Sequence, residues 1–146
     1  MPRFFNIQQA EALLPEVESV IREAISLKSE YQEAEAERQS LSRHVMMMGG
    51  VQLDHSQLAE QKKHREAVLQ RLKDAVEKVQ EFGCLIKDLD IGLIDFPTLF
   101  HDEEVYLCWK LGESGIHFWH GVQEGFRGRK AIDQEFIDNH QGELPN

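Results

Sequence analysis

The chain has 146 residues, of which 41% are hydrophobic and 29% are charged, and its formal net charge is −10. This length and composition favour one folded domain over a disordered chain, and no apolar run approaches the roughly 20 residues that a membrane-spanning helix needs. Acidic residues outnumber basic ones by 26 to 16, which argues against nucleic-acid and anionic-membrane partners, because both are bound through lysine and arginine.

We expect a single domain over residues 1–146. Its three parts are a helical hairpin, a β module and a polar tail, over residues 6–83, 84–132 and 133–146. The N-terminus has no apolar segment typical of a secretory signal. Two cysteines, Cys84 and Cys108, lie in apolar stretches and are predicted to be free thiols of a cytoplasmic protein.

The first helix is predicted to begin at a capping box, in which Asn6 caps the backbone at Gln9 and the Gln9 side chain reaches back. Apolar residues then recur at alternating spacings of three and four, which is typical of a coiled-coil seam interrupted only at Arg38. These seam residues are Val17, Val20, Ala24, Leu27, Tyr31, Ala34, Leu41 and Val45.

Gly49 and Gly50 interrupt this pattern and predict a turn over residues 46–53. Asp54 is then placed to cap a second helix. The second helix repeats the spacing of three and four at Leu58, Gln61, Arg65, Val68, Leu72, Ala75, Val79 and Phe82.

The two seams match each other in reverse order. Val17 faces Phe82 and Leu27 faces Leu72 when the helices are paired so that facing residue numbers add to 99. This common register predicts a long antiparallel coiled-coil hairpin. Because two helices alone leave their outer faces uncovered, either the C-terminal segment covers part of the hairpin or a second copy does. We expect self-association as a homodimer or docking of a protein partner.

The pattern changes to short extended segments after Gly83. Predicted strands lie near residues 84–89, 93–97, 103–111 and 116–120, with a tight turn over 112–115. Pro97 either ends the second strand or places it at an edge. The fold class is therefore α+β and helix-dominant, with the hairpin followed by a small three- to four-stranded antiparallel β meander.

Several motifs of the β module resemble those of a bacterial family, the domain of unknown function 2203. The motifs are GLIDFP at 92–97, LCWKLGE at 107–113, Trp119-His120 and GFRGR at 125–129, and ALLP at 12–15 is similar to the opening of that family. The resemblance covers roughly residues 4–132. It implies a bacterial, cytoplasmic protein and implies no particular activity.

Polar and aromatic residues of the β module are the candidates for a binding surface. They are Asp95, Glu113, Trp119, His120, Arg127 and Arg129. Asp95 stands in an apolar stretch and is either a general acid or base, or the partner of Arg127 or Arg129. Trp109 is expected to face the core, whereas Trp119 is expected to lie on a surface, on the same side as His117.

No metal or cofactor is predicted. His117 and His120 have a spacing that would suit a metal site on a helix, but on a strand residues three apart point to opposite faces. The alternative is a site that gathers His117, His120 and Cys108, together with Asp95 or Glu113.

Two functions remain open. The first is a non-enzymatic binding or assembly protein that self-associates through the hairpin, and it follows from the seam and from the absence of familiar catalytic motifs. The second is a small metal-dependent protein or enzyme with its site in residues 92–129. The second function requires at least three of the candidate side chains to converge.

Overall fold

Two long helices dominate the protein. The computed structural model describes residues 3–49 and 54–142, in which α1 spans Ile7–Met47 and α2 spans His55–Glu81. The predicted capping box is confirmed, because Asn6 accepts the backbone N–H of Gln9 while the Gln9 side chain accepts the backbone N–H of Asn6. The predicted cap at Asp54 is also present, and its carboxylate accepts backbone N–H groups of the first turn of α2.

Ion pairs connect α1 with α2 in antiparallel order, because the later residue of α1 pairs with the earlier residue of α2. Glu23 of α1 contacts Arg71 of α2 at 3.7 Å, whereas Glu35, further along α1, contacts Arg65 at 3.5 Å. The turn that the sequence predicts over 46–53 begins later, because α1 continues to Met47. Residues 50–53 of that turn lie outside the described residues.

One antiparallel sheet follows the helices. Its strands are β1 (Leu85–Asp88), β2 (Leu93–Phe100), β3 (Glu103–Lys110), β4 (Phe118–Gly121), β5 (Lys130–Ala131) and β6 (His140–Gln141). Strands β1 to β5 are neighbours in chain order, and β6 pairs with β2. The predicted meander is therefore present as β1 to β4 and is extended by two strands of two residues each.

Pro97 lies within β2, which is an inner strand and not an edge. Its carbonyl accepts the backbone N–H of Phe5 at 2.7 Å, on the side of β2 where β1 has ended and β6 has not begun. A proline lacks only the N–H group of that same side, so the bonding of β2 to β3 is left intact. This is the physical reason why the proline neither ends β2 nor places it at an edge.

The inner face of the sheet packs against the base of the hairpin. Alternate residues of β2 and β3, among them Phe96, Leu107 and Trp109, share one buried cluster with Val17 and Ile21 of α1. Side chains on a strand alternate between its faces. The residues between these core positions therefore point away from the helices, and we call that side of the sheet the outer face.

The segment after residue 132, for which the sequence predicts a polar tail with one helical turn, forms a helix and a short strand. A helix, α3, spans Gln134–Asn139 and leads directly into β6. Phe136 of α3 is fully buried and lies 4.7 Å from the ring centroid of Phe100 and 5.0 Å from that of Trp119. A single aromatic side chain thus anchors an otherwise polar segment, which composition alone does not reveal.

Among the described residues, no helix combines the length and the apolar character needed to cross a membrane.

Candidate functional site

Three reactive side chains meet on the outer face of the sheet. Asp95 of β2 lies directly opposite Cys108 of β3, and His120 of β4 lies opposite Tyr106, one diagonal step from Cys108. All three of Asp95, Cys108 and His120 are therefore on the same side of three adjacent strands. Their potential ligand atoms lie within 4.8 Å of one another, and we call this group the Asp–Cys–His site.

The Asp–Cys–His site is shielded from solvent. Asp95 and Cys108 are 0% exposed and His120 is 3% exposed. Nε2 of His120 lies 3.0 Å from both carboxylate oxygens of Asp95. Burial raises the pKa of the Asp95 carboxyl, against the opposing effect of its hydrogen bonds with His120 and Cys108.

The contact of the other ring nitrogen, Nδ1, determines which nitrogen of a neutral His120 ring carries the hydrogen. Nδ1 lies 2.8 Å from the backbone carbonyl oxygen of Gly121, and a carbonyl can only accept, so Nδ1 carries a hydrogen and donates it. The lone pair of a neutral ring then lies on Nε2 and points at the Asp95 carboxylate. Because two lone pairs repel, a positive species, either a proton or a metal ion, must stand between Nε2 and the carboxylate.

Cys108 is a protonated thiol in the metal-free site. Burial and the neighbouring Asp95 raise its pKa to about 12, although Arg129 acts in the opposite direction. A nucleophilic cysteine needs a lowered pKa and access to its substrate. Cys108 has neither property, so the arrangement does not suit a cysteine nucleophile.

Arg129 closes one side of the site. Its guanidinium donates two hydrogen bonds to the carboxylate of Glu113, both at 3.0 Å, and its Nη1 lies 4.0 Å from Sγ of Cys108. The rings of Phe118 and Phe126 lie 4.0 and 4.5 Å from the guanidinium carbon. A doubly hydrogen-bonded arginine held against two aromatic rings is a well-ordered cover.

Tyr106 closes a second side. Its ring lies edge-on to the ring of His120, with 5.5 Å between centroids, and the ammonium nitrogen of Lys87 lies 5.1 Å from the Tyr106 ring centroid. Side chains of β1, β3 and the segment after β4 thus form a single layer over the Asp–Cys–His site.

Four of the six sequence-predicted residues lie in or beside the site. Asp95 and His120 lie within the site, and Glu113 and Arg129 lie beside it. Asp95 has His120 as its partner, and neither Arg127 nor Arg129 pairs with it, because Arg129 is bound to Glu113. Arg127 is exposed on a 3₁₀ turn, Phe126–Gly128.

His117 is exposed, precedes β4 and contacts Ser114, so it stands apart from His120 and Cys108.

Trp119 requires a correction. The sequence predicts Trp119 on a surface, on the face away from Trp109, but the register sets Trp119 opposite Leu107, so Trp119 shares the inner face with Trp109. Trp119 packs against Phe100 and Phe136 and borders the core. Its neighbour His120 consequently points to the outer face.

Lys87 contributes to the layer over the site and is not among the residues predicted from the sequence. The available signal was its place on β1 beside the strand that carries Asp95.

The chain was also compared with known proteins. A family model described as Uncharacterized conserved protein (DUF2203) matches residues 3–132. No curated protein and no solved structure gives a significant match. The resemblance seen in the motifs at 92–97 and 125–129 is confirmed, and the chain belongs to the DUF2203 family.

Proposed function

We propose that this protein binds a divalent transition-metal ion through Asp95, Cys108 and His120. The observation that carries the proposal is the contact of His120 Nε2 with both oxygens of the Asp95 carboxylate at 3.0 Å. A metal ion at this position would replace the proton shared by Nε2 and the carboxylate, and the Cys108 sulfur lies within 4.8 Å of both other ligand atoms.

The donor set suits zinc. Carboxylate oxygen, thiolate sulfur and imidazole nitrogen are its usual protein ligands. A metal-binding histidine characteristically donates its second ring hydrogen to a carbonyl or a carboxylate, and His120 does so at Gly121. Binding of the ion displaces the protons from Cys108 and from the Asp95–His120 pair, so affinity falls as the pH is lowered.

His140 shows why this geometry is informative. Its Nδ1 also donates to a backbone carbonyl, that of Ile137 at 2.8 Å, but its Nε2 accepts the backbone N–H of Ile7 at 3.1 Å. The lone pair of His140 is therefore satisfied by an ordinary donor. Nε2 of His120 faces the two carboxylate oxygens of Asp95 instead. Of these two histidines, only His120 therefore has a place for a cation.

Metal content per chain tests the proposal. Protein purified without chelator is analysed by native mass spectrometry and by elemental analysis after equilibrium dialysis against zinc. We expect about one ion per chain in the wild type and loss of the ion in His120→Ala and Cys108→Ser.

The chain supplies matched controls for both variants. His117→Ala removes a histidine three residues away, and Cys84→Ser removes the other buried thiol; both should retain the ion. Absence of bound zinc from the wild type, or equal zinc content in His120→Ala and His117→Ala, would refute the proposal.

Self-association through the hairpin is a second candidate function, favoured by an uneven distribution of burial. The buried residues of α1 lie between Ala10 and Leu27, and those of α2 begin at Val68. The described residues between these two positions form a distal half with no buried side chain, and Met46 and Met47 there are 80% and 86% exposed. We propose that this half contacts a second copy in the cytoplasm of a bacterium.

Light scattering at micromolar concentration tests the second candidate, with a dimer as the expected result. A monomer that persists up to high concentration would contradict self-association. This result leaves the metal proposal untouched, since all three proposed ligands come from one chain.

A further inference from the structure

Arg129 approaches the sulfur of Cys108 with a hydrogen that its other partner does not use. One N–H of Nη1 and one of Nη2 are donated to the two carboxylate oxygens of Glu113, at 3.0 Å each. Nη1 carries a second hydrogen, and Sγ of Cys108 lies 4.0 Å from that nitrogen. The guanidinium therefore connects a carboxylate beside the Asp–Cys–His site to a proposed ligand within it.

The position of Arg129 is set by the strand that carries Cys108. Oε1 of Glu113 also accepts the backbone N–H of Lys110 at 2.7 Å, and the Glu113 carbonyl accepts the indole N–H of Trp109 at 3.1 Å. Both donors belong to the last two residues of β3, directly after Cys108. The anchor of the guanidinium is thus fixed to the same short stretch of chain as the sulfur.

Two aromatic rings shield the guanidinium. Phe118 lies opposite Cys108 in the register of β3 and β4, and the ring centroids of Phe118 and Phe126 are 4.0 and 4.5 Å from the guanidinium carbon. The side chains of Arg129 and Glu113 are 14% and 20% exposed. Charges interact more strongly in such a place than at the open surface.

We infer that Arg129 is a positioning residue of the metal site, which donates a hydrogen bond to the Cys108 thiolate and so raises the affinity for the ion. The inference rests on the proposed function, because the ion is what displaces the proton from the sulfur. Without metal the sulfur is a neutral thiol and a weak acceptor. Hydrogen bonds to a charged acceptor are roughly twice as strong as neutral ones. The contact therefore stabilises the metal-bound state more than the metal-free state.

Lys130 provides a matched comparison one residue along the chain. Its ammonium nitrogen lies 2.8 Å from the Glu124 carboxylate and 4.6 Å from the ring centroid of Trp119. Lys130 is thus also a cation with an acidic partner and an aromatic ring, but none of its contacts among the described residues is with Cys108. Lys130→Gln consequently removes one positive charge and one ion pair without changing a contact to the sulfur.

Cobalt(II) is the probe for the hydrogen bond to the sulfur. Zinc is d¹⁰, whereas a cobalt–thiolate bond has a charge-transfer absorption band whose energy depends on the electron density at the sulfur. We expect Arg129→Gln to move this band to longer wavelength, because a thiolate that loses a hydrogen bond donates its electrons more readily. Zinc affinity, measured by competition with cobalt, should fall by about 10–100-fold, the usual effect of removing a group that orients a metal ligand. Lys130→Gln should change neither quantity.

Arg129→Lys is a second variant that keeps the positive charge. A lysine lacks the planar fork with which one guanidinium reaches both Glu113 and the sulfur, so we expect a band at longer wavelength and weaker zinc binding here as well. Urea denaturation of each variant in EDTA identifies those that fold, and Arg129→Lys provides the test if Arg129→Gln does not fold.

The possible failures separate the inference from the proposed function. A charge-transfer band that keeps its wavelength in the folded Arg129 variants would overturn the inference and leave the metal proposal standing. Equal loss of zinc affinity in Lys130→Gln would have the same consequence, because the effect would then come from net charge. Wild-type protein that binds neither metal, or that binds cobalt without a thiolate band, would refute the metal proposal and the inference together.

Discussion

Replacing Phe136 with alanine should destabilise the whole domain, although this residue lies beyond the 3–132 region of the family match. Phe136 is 0% exposed and its ring contacts those of Phe100, Trp119 and His140 at centroid distances of 4.7, 5.0 and 5.2 Å. Truncation of a fully buried phenylalanine costs about 3–5 kcal/mol. That is a large part of the roughly 5–15 kcal/mol by which a domain is stable.

Thermal denaturation followed by tryptophan fluorescence is the appropriate assay, because the Trp119 ring lies 5.0 Å from the Phe136 ring and reports its environment. For a chain of this size each kcal/mol shifts Tm by about 2–4 °C, so the expected decrease is roughly 6–20 °C. Ile137→Ala is the matched control, since Ile137 is 46% exposed and adjacent in sequence. Equal, small losses in Phe136→Ala and Ile137→Ala would show that α3 is not part of the cooperative core.

Two further predictions concern backbone conformation and thiol chemistry. Gly92→Ala should cost at least about 1 kcal/mol more in unfolding free energy than Gly112→Ala, as measured by urea denaturation. Both glycines have positive φ, but only at Gly92 would the new Cβ overlap a side chain, that of Leu111 at 2.5 Å. Burial raises the pKa of Cys84 and of Cys108 to about 12, so only about one part in ten thousand of each thiol is ionised at pH 8. Native protein stripped of metal with EDTA should therefore fail to reduce Ellman's reagent, whereas unfolding in guanidinium should release both thiols; rapid reaction of the native protein would refute the assigned burial.

The helical half of the molecule could be predicted because its signals are local. A capping box at Asn6, a cap at Asp54 and apolar spacings of three and four each depend on residues within a few turns. Pro97 could not be interpreted from its neighbours alone. The carbonyl of Pro97 accepts a hydrogen bond from the backbone N–H of Phe5, which is distant in sequence.

The site depends on strand register, which the sequence leaves open. Asp95 meets Cys108 only because β2 and β3 are joined through His101 and Asp102, both with positive φ (50° and 63°). Tight hairpins of this kind are usually signalled by Asn-Gly or Asp-Gly, and that signal is missing here. In the same way, Phe118 and Trp119 are both large and aromatic, so alternation alone cannot say which of them faces the core.

The crowded edge of β2 has a consequence for the order in which the chain folds. Phe5, β1 and β6 all bond to that one edge, so β2 is completed by residues near 5, 85 and 141. The helices depend on local contacts and can form while the ribosome is still adding residues, but this edge is complete only after Gln141 has emerged. Contacts of such long sequence separation slow folding. The sheet, and with it the Asp–Cys–His site on its outer face, should therefore mature after the two long helices.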